Sequence, residues 1–241
     1  MTTKKENTNN NFAKYLKWFW VTIFGGTLAA ILMFLLASWG VFGALPSFEE
    51  LENPEKNLAT EVISIDGKTL GKYFKENRTP VKFKDLPKNL LEALVATEDE
   101  RFYEHSGIDF KATLRAIVKL GKDGGGSTIT QQLAKLLFTG EGSKNLPERI
   151  LQKFKEYVIA IKLERQYTKQ EILTMYLNKY DFLNLAVGIR SASRIYFGKE
   201  PIELKVSESA MLVGMLKNAS LYNPIRRPKR VTQRRNIVLR Q

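Results

Sequence analysis

The sequence predicts a mainly α-helical protein that is preceded by one transmembrane helix. Residues 18–48 contain no charged side chain, and the centre of this stretch, residues 19–39, has about the 20 apolar residues that span a bilayer. From Pro87 onward, helical periodicity and helix-start signals recur almost to the end of the chain. Only a short segment near Glu61 alternates between polar and apolar residues as a strand does.

Composition narrows the classes of function. The 241 residues include 38 Lys and Arg against 25 Asp and Glu, which gives a formal net charge of +13. Such an excess suits an anionic partner, for example acidic lipid, a phosphorylated substrate or nucleic acid. Cysteine is absent and His105 is the only histidine, so disulfides, cysteine-rich zinc sites and multi-histidine metal sites are excluded. A Ser-His-Asp triad would have to use His105.

The N-terminal part has three predicted sections. Residues 1–17 are polar and are interpreted as a disordered cytoplasmic tail, and residues 18–42 as a transmembrane helix with tryptophans near its ends. Because lysines precede this segment and glutamates follow it, the positive-inside rule places the N-terminus in the cytoplasm. A cleaved signal peptide is the alternative, but the apolar run is too long for one.

Residues 43–70 are interpreted as a linker with short strands, and residues 71–241 as one helical domain. Residues 61–65 alternate and lead to Asp66-Gly67, which is a hairpin signal. We therefore expect a strand pair that extends to about Phe83.

One acidic residue falls on an apolar helix face. Leu91, Leu94, Val95, Glu98 and Phe102 are spaced i, i+3, i+4, i+7 and i+11, as on one side of an α-helix. A carboxylate in that position loses water, and desolvation raises the pKa of a carboxylate. This property suits a general base or acid. The alternative is an acidic cluster that caps the helix before the next turn.

A glycine-rich stretch, residues 124–126, leads into another predicted helix. Thr128 and Gln131 have capping-box spacing, so we expect a helix to begin there. The free amides of such a loop and the helix dipole can hold an anion, and Lys135 lies on the same helix face as Gln131. The stretch is not a Walker A loop, because no lysine precedes Ser127. The alternative is a flexible loop before an ordinary helix.

The rest of the chain also reads as helices. Lys153 and Glu156 are spaced i, i+3, which alone predicts only a solvated ion pair. Residues 139–146 are predicted to form a mobile loop, and the basic run 226–235 either a solvated surface or a contact with anionic headgroups. Capping boxes and a proline mark most helix starts. The predicted helices are 110–120, Glu148 to Gln166 after Pro147, Lys169 to Asn178 after Thr168 with Glu171, and Glu208 to Lys217 with Ser207 as the cap.

Five sequence blocks follow one another in order. They are E-D-x-x-F-x-x-H-x-G from Glu98 to Gly107, G-G-S-T-I-T-Q-Q from Gly125 to Gln132, K-x-x-E from Lys153 to Glu156, K-x-x-I-L-x-x-Y-L-N from Lys169 to Asn178 and R-R-x-x-V-L from Arg234 to Leu239. Together they resemble the motifs of glycosyltransferase family 51, the peptidoglycan glycosyltransferase domain of class A penicillin-binding proteins. The resemblance covers roughly residues 72–241. One residue departs from the family pattern. Gln152 stands where the third motif usually has arginine, and the resemblance implies that this arginine is a cation of the site that binds the substrate diphosphate.

The resemblance implies a lysozyme-like glycosyltransferase domain with a small membrane-apposed jaw lobe. It also implies that lipid II, a disaccharide-pentapeptide on undecaprenyl diphosphate, is polymerised into glycan strands with inversion at the anomeric carbon. Glu98 would be the general base that takes the proton of the acceptor 4-hydroxyl. Glu156 would orient the donor phosphate, directly or through a divalent ion such as Mg²⁺ or Mn²⁺. The substrate-binding residues implied by the motifs are Asp99, Ser127, Thr128, Gln131, Gln132, Lys135 and Lys153, whereas His105 is assigned mainly to packing.

The resemblance further implies a single-pass protein of the bacterial cytoplasmic (inner) membrane, with the catalytic domain on the periplasmic or outer face. Its partners would be lipid II, the growing glycan strand, the bilayer and other cell-wall synthesis and division proteins, but not nucleic acid. The S-x-x-K and K-T-G motifs of a penicillin-binding transpeptidase do not occur in this sequence. Two alternatives stay open: a lysozyme-type muramidase, and a membrane-anchored scaffold that binds anionic lipid or nucleic acid without chemistry.

Overall fold

The computed structural model describes residues 3–41, 60–64, 66, 69–73, 80–118, 125–140, 142–143 and 145–241. These residues are mainly α-helical, as predicted. The elements are α1 (Thr3–Ser38), β1 (Thr60–Ile63), β2 (Thr69–Tyr73), α2 (Lys88–Glu98), α3 (Phe110–Val118), α4 (Ile129–Ala134), α5 (Leu146–Gln166), α6 (Lys169–Lys179), α7 (Ile189–Phe197), α8 (Val206–Leu216) and α9 (Pro228–Val238).

The N-terminal helix α1 is longer than predicted. It begins at Thr3, so the expected disordered tail 1–17 is helical in the residues described, and it ends at Ser38 rather than at residue 42. The first section can join the helix because its lysines favour helix and it contains neither proline nor glycine. Among the described residues, α1 is the one helix long and apolar enough to cross a membrane, over residues 12–38. Its C-terminal end packs on α5, where Ala37 is buried.

The predicted strand pair is confirmed. Strands β1 and β2 are antiparallel, with Thr60 opposite Tyr73, and their register shifts between Val62 and Ile63. The expected continuation to residue 83 is wrong, because Phe83–Asp85 forms a 3₁₀ turn. The predicted hairpin glycine, Gly67, lies outside the described residues.

Helix α8 forms the centre of the domain. Seven of its eleven residues are buried, and it packs against α2 and α9. A second group of contacts joins α4 to α5 and α6. Complete burial of one large apolar side chain contributes about 1.5–3 kcal/mol, so these contacts supply most of the stability of the domain. Fully buried representatives of four of these helices are Leu94, Leu133, Tyr176 and Val213.

Two of the three predicted N-caps are confirmed. The side chains of Thr128 and Thr168 accept the backbone N–H of the residue three positions on, and both positions form capping boxes. The third is wrong: α8 begins at Val206, and Glu208 accepts the N–H of Lys205 at 2.8 Å. Glu208 thus closes the first turn two residues earlier than expected. Helix α5 likewise begins at residue 146 rather than 148.

Candidate active site

Glu98 is the last residue of α2, and its side chain is 13% exposed. The predicted apolar face is right for Leu94, but Leu90 rather than Leu91 is the fully buried neighbour. Phe102 is buried from the following 3₁₀ turn instead of from the same helix. The carboxylate therefore lies at the end of the helix, at the edge of the core.

Three further side chains surround this carboxylate. The amide Nε2 of Gln132 donates to Glu98 Oε2 at 3.0 Å, and the Tyr176 hydroxyl donates to Gln132 Oε1 at 2.8 Å. Because the hydroxyl takes the amide oxygen, the amide N–H₂ faces Glu98. The guanidinium of Arg234 lies 3.7 Å from Glu98 Oε1, within ion-pair distance but beyond a hydrogen bond. We call Glu98, Gln132, Tyr176 and Arg234 the base cluster.

Two members of the base cluster, Tyr176 and Arg234, were not predicted as site residues, and Arg234 is the charged one of the two. It is 9% exposed, its guanidinium lies 6.0 Å from the ring centre of Tyr222, and its Nε is buried without a hydrogen-bond partner among the described residues. Helical spacing could have identified it, because Val231, Arg234 and Val238 are spaced i, i+3, i+7 and share the buried face of α9. A Cβ on Gly214 of α8 would lie 3.1 Å from Arg234 Cγ, so the glycine leaves room for the arginine stem.

Burial raises the pKa of two tyrosines near Glu98. It raises the pKa of Tyr176 well above the ordinary value, and the charge of Glu98 adds to that effect. Burial likewise raises the pKa of Tyr180 to about 12, although a backbone hydrogen bond opposes the change. Both hydroxyls are therefore protonated donors at neutral pH.

A second cluster forms where α5 meets the glycine loop. The ammonium of Lys153 donates to Ser127 Oγ at 2.9 Å and to Glu156 Oε2 at 2.8 Å. The side chain of Lys153 is 37% exposed and that of Glu156 is 9% exposed. We call Ser127, Lys153 and Glu156 the cation cluster. Its lysine is positioned by an acceptor on each side while its ammonium remains open to solvent.

Asp99 joins the first motif to the second inside the protein. It is 8% exposed, its carboxylate lies 3.0 Å from Nε2 of His105, and it accepts the backbone N–H of Ile129 at 3.0 Å. His105 also packs edge-to-face on Phe102, which agrees with the packing and hydrogen-bonding role predicted for it. The expected contact of Asp99 with substrate stays a prediction.

Thr128 and Gln131 are also internal, and each is 1% exposed. Both donate to the carbonyl oxygen of Gly107, at 2.7 Å from Thr128 Oγ1 and 3.2 Å from Gln131 Nε2. Gly107 has φ +93°, and a Cβ there would lie 2.9 Å from the backbone of Ala160, so only glycine fits this position. These two polar side chains thus hold the first and second motifs together, and their contact with substrate stays a prediction.

Lys135 is separate from both clusters. It begins a π-helical turn, Lys135–Thr139, that follows α4 directly, and it is exposed. Its ammonium makes no hydrogen bond or ion pair within the part of the chain that the structure describes. The structure therefore brings together Lys153, Ser127 and Glu156, but it shows no contact that joins Lys135 to them.

The described residues do not form a resident metal site. Within the described ranges, no group of three or more His, Asp or Glu side chains could hold an ion. Glu156 offers a single carboxylate, and the Lys153 ammonium already occupies one of its oxygens. A divalent ion here would have to bring most of its ligands with it.

The chain matches proteins of one family. A family model described as Transglycosylase matches residues 66–241. Penicillin-binding protein 1A of Pseudomonas aeruginosa is 40% identical over 231 residues, which cover 94% of this chain and 27% of that protein. Penicillin-binding protein 1F of Bacillus subtilis is 43% identical over 185 residues, which cover 75% of this chain and 25% of that protein. The chain thus spans about a quarter of the length of these curated relatives.

Among solved structures, penicillin-binding protein 1A from Haemophilus influenzae shares 28% sequence identity with this chain. The match covers 77% of this chain and 18% of that chain, with a TM-score of 0.40.

Proposed function

The chain belongs to the transglycosylase family, glycosyltransferase family 51, and on that premise we propose that it polymerises lipid II into peptidoglycan glycan strands. One structural observation carries the proposal: the short helix α4 links the two clusters. Gln132 of α4 contacts Glu98 in the base cluster, while Ser127, just before the cap of α4, contacts Lys153 in the cation cluster. A general base and a cation site side by side suit glycosyl transfer with an anionic leaving group.

Glu98 is the proposed general base for the acceptor 4-hydroxyl. Gln132 occupies Glu98 Oε2 and leaves Oε1 able to accept the proton of the attacking hydroxyl. Arg234, 3.7 Å from Oε1, lies close enough to contact the sugar that carries the attacking hydroxyl. The oxygen freed of its proton attacks the anomeric carbon of the donor, the bond to diphosphate breaks, and the configuration inverts.

The departing diphosphate is proposed to bind the cation cluster. Its negative charge grows at the bridging oxygen as the glycosidic bond breaks, so a cation placed there stabilises the transition state more than the ground state. Lys153 supplies the charge, and Glu156 and Ser127 orient its ammonium. Lys135 is kept as a further cation, which reaches the diphosphate from its exposed position when substrate is bound.

The membrane contact is proposed to involve α1 and α3. Phe110, Leu114 and Val118 follow one another at i, i+4, i+8 along α3 and are 76, 63 and 72% exposed. Lys111 and Arg115 flank this apolar row, a pattern typical of a helix lying in the membrane interface. We assign α3 to the membrane-apposed jaw, and the protein to the cytoplasmic membrane with the N-terminus inside.

Deletion of residues 1–42 tests the role of the anchor. The shortened protein should fold, because the core of the domain lies outside α1, but it should use lipid II in bilayers less well. Membrane flotation and polymerisation in liposomes measure the two effects. Unchanged partitioning and unchanged activity would overturn the assignment of α1.

A polymerisation assay tests the proposed function itself. The purified chain, reconstituted in bilayers with lipid II, should produce glycan strands that muramidase digests. Incubation with purified glycan strands tests the muramidase alternative, and we expect no cleavage. Strand cleavage without polymerisation would replace the proposal by the muramidase alternative. The absence of both activities would favour the scaffold.

A further inference from the structure

The first turns of α5 carry two distinct polar faces. One face, formed by Glu148 and Gln152 at i, i+4, holds the preceding loop. Gln152 Oε1 accepts the backbone N–H of Ser143 at 3.0 Å, and Glu148 accepts from the Ser143 hydroxyl and, at 3.3 Å, from the Asn145 amide. Gln152 therefore holds the loop by a hydrogen bond, whereas the family motif usually has a cation at this position.

The other polar face of α5 includes the two α5 residues of the cation cluster. Arg149, Lys153 and Glu156 are spaced i, i+4, i+7, so they lie in one row on α5, with neighbouring Cβ atoms about 6 Å apart. Lys153 of this row already contacts both Ser127 and Glu156. Arg149 extends the row by one turn toward the start of the helix.

Arg149 carries a positive charge at a position of the helix that does not favour one. Its side chain is exposed and makes no hydrogen bond or ion pair among the residues that the structure describes. It lies near the N-terminus of a 21-residue helix, where the macrodipole repels positive charge. The neighbouring Glu148 carboxylate is hydrogen-bonded to the loop and forms no ion pair with Arg149 among the described residues. An anion seated between Arg149 and Lys153 would relieve the repulsion.

We propose that Arg149 supplies a second cation from α5 for the diphosphate, in place of the arginine that the family motif has at position 152. The inference rests on the proposed function and names a further binding residue of the same site. A guanidinium can bind two phosphate oxygens at once, whereas an ammonium acts as a point charge. Arg149 and Lys153 therefore hold the two phosphoryl groups from one helix face, and Gln152 is left to fix the loop.

Binding of inorganic pyrophosphate to the full chain in lipid nanodiscs, measured by calorimetric titration, tests this inference. Arg149→Ala should weaken the affinity about tenfold, and Arg149→Lys, which keeps the charge but loses the fork, about threefold. The matched control is Arg165→Ala, an exposed arginine in the last turn of the same helix, which should change the affinity less than twofold. Because Arg149 is exposed, all variants should fold, and Arg149→Ala should be at least as stable as the wild type, since the repulsion by the macrodipole is lost.

The same variants are then assayed with lipid II. Arg149→Ala should raise KM about tenfold while Arg165→Ala matches the wild type. Equal pyrophosphate affinity in Arg149→Ala and wild type would overturn the inference, as would an equal loss in Arg165→Ala. Failure of the proposed function is a different result: the wild type would then polymerise no lipid II, whatever the pyrophosphate titrations gave.

Discussion

The base cluster and the cation cluster are built in opposite ways. The base cluster draws one side chain from each of α2, α4, α6 and α9, and its two charged groups, Glu98 and Arg234, are 13 and 10% exposed. The cation cluster comes from one helix and one loop, and Lys153 is 37% exposed. A proton acceptor must be oriented before the reaction, whereas a leaving diphosphate must be able to depart. The difference in burial thus follows the difference in chemical task.

The largest effect should come from the base cluster. Glu98→Gln keeps the shape of the side chain and its contact with Gln132 but removes the proton acceptor. We expect polymerisation to fall by about 10²–10⁴ or more, as is typical of acid–base catalysis. Turnover of lipid II by the folded variant measures the effect, and circular dichroism checks the fold. Near-normal turnover would mean that the general base is another residue. The burial of the base cluster would then not be explained by proton transfer.

The second-largest effect should come from the cation cluster. Lys153→Ala should lower kcat about 10²-fold, because one stabilising cation at the leaving group is lost. Lys135→Ala should also lose most activity, and the double variant should lose less than the sum, as residues that act on one group do. Rates across a salt series provide the measurement, since screening should weaken the more exposed cation cluster first. Independent, fully additive losses would speak against a shared diphosphate site.

A smaller effect should come from the hydroxyl that orients the Gln132 amide in the base cluster. Tyr176→Phe removes the hydroxyl that fixes the Gln132 amide, so the amide can turn its oxygen toward Glu98. We expect kcat to fall about tenfold with KM unchanged, and stability to fall by about 1 kcal/mol for the lost hydrogen bond. Tyr180→Phe is the matched control, because its hydroxyl donates to backbone carbonyls of α8 instead. An equal loss of kcat in both variants would indicate a general packing defect.

Local signals in the sequence predicted more of this site than long-range ones. The caps at Thr128 and Thr168 depend on residues three positions apart, and both were predicted correctly. Arg234 was missed because its partner Glu98 lies 136 positions earlier in the chain, and no local pattern records such a contact. Periodicity on α9 would have shown only that Arg234 is buried, not which group it meets.

The motif residues teach a related lesson. The family resemblance assigned seven substrate-binding residues, but a motif does not distinguish a side chain that touches substrate from one that holds the motifs together. In the structure Asp99, Thr128 and Gln131 are nearly inaccessible and hold the motifs together through bonds within the protein. Their burial depends on how the Gly107 turn packs against α5, which is a tertiary contact.

The smallest expected effect concerns the turn after α6, which leads away from the base cluster. Leu183, Asn184 and Leu185 all have positive φ, at 65, 53 and 65°. Asparagine tolerates this region, but each leucine costs about 1–2 kcal/mol there. Leu185 is 86% exposed, so its side chain contributes little packing in return. Leu185→Gly removes the strain but adds freedom to the unfolded chain worth about 0.5–1 kcal/mol.

We therefore expect Leu185→Gly to stabilise the domain by about 0.5–1 kcal/mol, which for a chain of this size corresponds to a Tm increase of about 1–4 °C. Leu183→Gly is the control, because it relieves the same strain but removes a side chain that packs against the core, so it should not stabilise. Differential scanning calorimetry decides between them. Because the Leu185 side chain is exposed, turnover should stay within twofold in Leu185→Gly. A large drop in turnover would show that the rigidity of the base cluster extends to this turn.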